Sequence, residues 1–144
     1  MHKFRKQKYF ACQLIAAINA RIFLGGDDIP EALFEELVDL TCGRVGACIG
    51  VEKAYPVLGL EYTDGPVDCG WIEQHTPIEL TVNDPKHGNH AILITSTNCE
   101  GLQYGYVFDI VNGSERQLEG SELAERLPHW DNNRRCRSFS LKND

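Results

Sequence analysis

Residues 10–24 are the segment that most limits what this chain can become. Phe10, Leu14, Ile15, Ala17, Ile18, Ile22 and Phe23 are spread round the helical wheel instead of along one stripe. A helix that is apolar nearly all round has to be covered on several sides, so the spacing predicts one lying in the middle of a domain. Cys12 stands at its head, and Gly25-Gly26 supplies the stop.

The rest of the chain has to provide the cover. Asp28 reads as an N-cap, with Glu31 closing a capping box and Pro30 in the first turn. Leu33, Phe34, Leu37, Val38 and Leu40 continue at helical spacing until Gly43. Between 44 and 58 the pattern is ambiguous; Val45, Ile49 and Val51 fit a short helix that Pro56 terminates. Leu58 to Tyr62 looks extended, Thr63-Asp64-Gly65-Pro66 is a turn, and Asp68 caps one helical turn through Trp71 and Ile72.

The period then changes. Ile78, Leu80 and Val82 alternate with Glu79 and Thr81, the pattern of a half-buried strand with Glu79 on the wet side. Asp84 to Asn89 is a loop by composition, and Ala91 to Thr95 is a strand apolar enough for burial on both faces. Glu100-Gly101 turns the chain into a strand from Tyr104 to Val111, so 90–111 reads as a β-hairpin. Asn112-Gly113 turns it again, Ser121 to Leu127 is a short helix stopped by Pro128, and Cys136 to Leu141 is a closing strand. Helices first, an antiparallel sheet second and a small late helix indicate an α+β fold. With no repeat, low-complexity tract or linker, residues 1–144 are expected to form a single domain.

Composition excludes several function classes. A net charge of −7 argues against nucleic acid, and the basic residues near the two ends (Lys3, Arg5, Lys6, Lys8; Arg134, Arg135, Arg137) read as solvated ends. Gln13, Asn19 and Arg21 interrupt the first apolar run, so it is neither a secretory signal nor a membrane span. Six cysteines without an export signal are expected to be reduced thiols in a cytoplasm. Zinc is disfavoured: Cys42 and Cys48 are separated by five residues, no second pair follows, and Gly88 between His87 and His90 argues against a shared helix.

Four residues point to chemistry. Cys12 at a helix N-terminus would feel the positive end of the macrodipole and nearby N–H groups, both favouring thiolate. His90 directly precedes a buried strand, where a general base can be held near the thiol; His2, His75, His87 and His129 lack that setting. Asp109 ends the strand paired with the histidine strand, within reach to fix the imidazole tautomer. Gln7, five residues before Cys12, is a candidate partner to the Cys12 N–H in an oxyanion hole, with Gln13 and Asn89 as substitutes. Each has a bland reading as well: a small packed thiol, a strand-end histidine, a turn acid and a polar terminus.

Cysteine heading a helix, histidine on a strand and an acid on the next strand resembles the papain-like cysteine peptidases. Within them the chain is similar to the compact type that processes bacteriocins after a double-glycine leader. The likeness is carried by Cys12 before Gln13–Leu24, by Thr76-Pro77-Ile78-Glu79-Leu80-Thr81-Val82 leading into Gly88-Asn89-His90-Ala91-Ile92-Leu93-Ile94, and by Tyr106-Val107-Phe108-Asp109 with Ser121–Leu127. Three details depart from the family: Gln13 follows the cysteine where glycine is usual, Asn89 separates the glycine from the histidine, and Gln7 lies five rather than six residues ahead. The resemblance implies a papain-like α+β fold and a Cys12–His90–Asp109 triad. It also implies a peptide or protein substrate, acyl transfer through a thioester, and no metal or organic cofactor. Deamidation of a glutamine side chain uses the same groups. With no membrane-length apolar run, a role inside an export transporter is not expected. A catalytically silent papain-like domain that binds a peptide or protein is the second reading. A small acidic adaptor, in which Cys12, His90 and Asp109 do not converge, is the third. Oligomeric state leaves no trace in the sequence.

Overall fold

Helix α1 (Cys12–Phe23) buries Leu14, Ile15, Ala16, Ala17, Ile18, Asn19, Ala20 and Ile22, and so is enclosed on nearly every side, as its composition requires. The computed structural model describes residues 4–6, 8, 9, 11–41, 50–84, 88–96, 104–109, 114–118 and 136–142; positions 69, 81–84, 88–90, 104–109 and 114–118 enter through their backbone course. After α1 come α2 (Glu31–Thr41), a 3-10 turn (Val51–Ala54), α3 (Tyr55–Leu58), β1 (Leu60–Gly65) and α4 (Cys69–His75). Strands β2 (Ile78–Asp84), β3 (Gly88–Ile94), β4 (Tyr104–Asp109), β5 (Ser114–Leu118) and β6 (Cys136–Leu141) complete the order. This is an α+β arrangement, helices largely ahead of strands.

The six strands form one antiparallel sheet in the order β1-β6-β2-β3-β4-β5. The last strand in sequence is therefore inserted between the first two instead of closing an edge. Two clusters of apolar side chains follow from the two-residue alternation along the strands. Leu93 of β3 and Phe139 of β6 join the buried faces of α1, α2 and α3 in the larger cluster. Ile92 and Ile94, Ile78 and Leu80, Ile72 of α4 and Cys136 form the other. The sheet is thus covered on both faces along β2 and β3, which bears out the double burial expected of Ala91 to Thr95.

Several local expectations need correction. Asp28 and Glu31 do not close a capping box: α2 begins at Glu31 with Phe34 N–H bonded to the Pro30 carbonyl at 3.0 Å, and both carboxylates bind Arg5 instead, at 2.8 and 3.0 Å. Pro56 opens α3 rather than ending a helix, and Gly59, at φ +68°, makes the stop. Asp68 does cap α4, its Oδ2 accepting from Trp71 N at 3.0 Å, but the helix runs on to His75. Strand β5, Ser-Glu-Arg-Gln-Leu, is an addition at the sheet edge, where a charged strand is normal and an apolar pattern is missing. The helix expected over Ser121–Leu127 lies outside the described residues.

Several of the basic residues near the ends are not free in solvent. Arg5 and Lys8 clasp Asp28, Glu31 and Glu35, tying the segment ahead of Cys12 to α2. Asn19, fully buried in α1, accepts from Arg5 N at 2.8 Å and donates to Arg5 O at 3.0 Å. The residue that looked like a flaw in an apolar helix is the one that fastens the N-terminal segment to it. Arg137, near the other end, is drawn in among Glu52, Asp64 and Tyr55.

Candidate active site

Cys12 is the first residue of α1, preceded by Ala11 with no side-chain cap. Its thiol is half-buried, and the backbone of Ala91 hydrogen-bonds the sulfur in the direction that favours thiolate, which makes Ala91 N–H the donor. The N–H groups of Gln13 and of Cys12 itself act in the same sense. These are the helix-terminal donors expected at such a position. They do not prevail. Burial, joined by the negative charge of Glu79, pushes the Cys12 thiol above its ordinary value. From these surroundings alone the sulfur stays protonated near neutrality, so a thiolate needs a further cation beside it.

The Ala91 contact places the nucleophile candidate one residue along β3 from His90. His90 lies within β3, its backbone paired with Val82 of β2. The β3–β4 pairs are Leu93 with Phe108 and Ile94 with Val107. One step further along each strand stand Ile92 and Asp109, so Asp109 is reached at the level two residues from His90. Position parity along the sheet is therefore the same for His90 and for Asp109. Ile92 and Ile94 share that parity and lie in the cluster on the face away from α1, so the backbone places Cys12, His90 and Asp109 on three adjoining elements without bringing them to one site. Gln7, and the competing His87, lie outside the described residues; Gln13 follows Cys12 in α1, and Asn89 precedes His90 in β3.

Sequence reasoning missed a polar cluster next to this region. Glu79, read as solvent-facing, is only 6% exposed. It lies opposite Leu93 on β3 and opposite Arg137 on β6, on the side of the sheet that α1 covers. Arg137 is already committed: Nε donates to Asp64 at 2.9 Å, and Nη1 donates to Glu52 at 2.8 Å and to Tyr55 Oη at 3.0 Å. Its guanidinium also lies 4.5 Å from the Tyr62 ring centre. Glu79 Oε2 is left buried without a hydrogen-bond partner among the described residues. Burial raises the Glu79 carboxyl to about 7; Arg137 pulls down, while Glu52 and Asp64 push up. The Tyr55 phenol is also pushed well up, by burial first and by Glu79 next.

Cys12 and Cys136 are free thiols. Cys136 is buried, its Sγ 2.9 Å from the Pro66 carbonyl, and burial moves it to about 11. Among the described residues no three His, Cys, Asp or Glu gather as metal ligands, and no helix is long and apolar enough to cross a membrane. Cys42, Cys48 and Cys99 lie outside the described residues.

With this geometry in view, one solved structure is informative. It is a double glycine motif protease from an AMS/PCAT transporter, in complex with the leader peptide. It aligns with 99% of this chain and 93% of its own, with a TM-score of 0.62 and 16% sequence identity. The two share a fold. No protein-family model and no curated protein matches the sequence. At 16% identity the likeness concerns backbone architecture, and residue roles have to be argued from this chain's own positions.

Proposed function

We propose that this chain is a papain-like cysteine hydrolase, most simply a peptidase, with Cys12 as nucleophile, His90 as acid–base and Asp109 as the group that orients His90. The observation that carries the reading is the Cys12 sulfur against Ala91 N–H, beside the candidate base, in a fold shared with a peptidase.

In the proposed reaction an imidazolium at His90 stabilises the Cys12 thiolate against the burial that opposes it. The sulfur attacks the carbonyl carbon, a C–S bond forms, and the oxyanion is held by Cys12 N–H with Gln7 as second donor. His90 gives its proton to the departing nitrogen and the C–N bond breaks, leaving a thioester. Neutral His90 then takes a proton from water, whose oxygen attacks the thioester carbonyl; the C–S bond breaks and the acid leaves. The residues named need no metal or organic cofactor for these steps.

A peptide substrate is part of the proposal, and the shared fold supports it. The protease of that fold was solved with a leader peptide, which supports an extended peptide as the proposed substrate here. Residues 1–144 work in this reading as one domain, in a cytoplasm that keeps Cys12 reduced. Glutamine deamidation remains the neighbouring chemistry.

The test is a peptide vinyl sulfone ending in Gly-Gly. Reaction through the Cys12 sulfur, located by mass spectrometry and lost in His90→Ala, supports the reading. A silent peptide-binding domain, the rival favoured by the raised Cys12 thiol, would bind the same peptide and leave Cys12 unmodified.

A further inference from the structure

Glu79 is out of keeping with its place in the fold. It occupies a central strand between β6 and β3, on the face covered by α1, where Leu93 and Phe139 are apolar. A buried carboxyl with one oxygen left unpartnered among the described residues is costly, and an apolar residue would fit the strand better. Residues that break the local rule in this way concentrate at functional sites.

Its surroundings give it a use. Thr81 is paired with Ala91, and Ala91 N–H meets the Cys12 sulfur. Glu79 is one two-residue step from Thr81 along β2, so register alone puts it next to the level of the thiol. Five charged or titratable neighbours come from the described residues. Arg137 faces it from β6, Asp64 from β1, Glu52 from the 3-10 turn, Tyr55 from α3 and Cys12 from α1. Arg137 is the sole cation of the set, and its hydrogen bonds go to Glu52, Asp64 and Tyr55. An ionised Glu79 would therefore add an unmatched negative charge on the side of the sheet where Cys12 would have to become negative.

We propose that Glu79 is a positioning residue acting as a proton-dependent brake on Cys12: protonated, it leaves the thiolate unopposed, and ionised, it repels it. The proton leaves to solvent, and the carboxyl itself takes no part in bond making. Burial places that ionisation at about 7, between the acid side, where Glu79 is neutral, and the alkaline side, where a thiol ordinarily gains reactivity. Cys12 would then gain less from rising pH than a lone thiol does. The consequence for catalysis rests on the reading of Cys12 as nucleophile; the electrostatic coupling does not.

The experiment is alkylation of the full chain by iodoacetamide between about pH 5 and 9, with rates at Cys12 and Cys136 resolved by mass spectrometry. Wild type is compared with Glu79→Gln and with Glu79→Leu, the second serving where the buried amide prevents folding. The expected result is equal Cys12 rates near pH 5 and a variant advantage that grows through neutrality to roughly threefold or more at pH 8, the scale of a like charge in a partly polar interior. Cys136, whose charged neighbours are Asp64 and Asp68, is expected to keep its rate. A Cys12 ratio that is flat with pH, or a parallel acceleration of Cys136, would overturn the proposal. His90→Ala separates the two claims. If it leaves Cys12 unslowed while Glu79→Gln still acts, the hydrolase reading fails and the Glu79 coupling stands.

Discussion

The Cys12 sulfur takes a hydrogen bond from the backbone of Ala91, the residue after His90 on β3. Through that bond the start of the buried helix is fixed to the histidine strand, two elements separated by most of the chain. If Asp109 serves His90 from the adjoining strand, Asp109→Asn should keep the fold and lower kcat/KM by roughly 10²-fold or more, as loss of an orienting carboxylate does in other triads. Steady-state hydrolysis with circular dichroism beside it decides the point. Unchanged turnover would remove Asp109 from the site.

Glu79 should make stability fall as pH rises. Its folded-state carboxyl is raised to about 7 from an ordinary 4.5, so the native state holds this proton more tightly than the unfolded chain does. That contribution is complete below the unfolded value and is lost as pH climbs through 4.5 towards 7 and beyond. The full span is worth about 3 kcal/mol. Urea unfolding at pH 5 and pH 8 should therefore show a wild-type loss that Glu79→Gln abolishes. A variant with the same pH slope as wild type would contradict the raised carboxyl of buried Glu79.

Arg137 holds Glu52, Asp64 and Tyr55 and stands opposite Glu79. Arg137→Met should destabilise the protein by about 3 kcal/mol at neutral pH, because the acids then lose the guanidinium that binds them. Adding Glu79→Gln should recover part of that loss, a coupling readable from a double-mutant cycle of denaturant midpoints. Simple additivity would place the two residues out of electrostatic contact.

Asn19→Leu tests the fastening of the N-terminal segment. The substitution leaves Arg5 N–H and C=O without their partners, at a cost of about 1–3 kcal/mol. Hydrogen exchange in residues 4–9 should accelerate before the rest of the chain does. Since Gln7 is carried on that segment, hydrolysis should fall in parallel if it is the oxyanion donor.

The helical half was legible because α1 is apolar on all sides, and only a central position satisfies that. The sheet was legible strand by strand: β2, β3, β4 and β6 each announce themselves by alternation or by apolar run. What could not be read was cover. Period two separates Glu79 and Thr81 from Ile78 and Leu80, yet the same alternation arises whether the second face meets water or a helix, and here it meets α1. Nor could β6 be placed inside the sheet, since strand order is set by packing between distant segments. The Asp28–Glu31 capping pair failed for a related reason: Arg5, more than twenty residues away, competes for both carboxylates. At the site, the chain order of Cys12, His90 and Asp109 was visible, whereas the rise in the Cys12 thiol depends on burial and on Glu79, neither of which a sequence displays.

The most direct measurement of the central claim is alkylation of native Cys12 across pH 4–9 in wild type and in His90→Ala. A working thiolate–imidazolium pair should label Cys12 rapidly well below the ordinary thiol pKa of about 8.5, and the His90 variant should lose that acid-side reactivity. Labelling of Cys12 no faster than Cys136, with the same pH profile in both proteins, would contradict it.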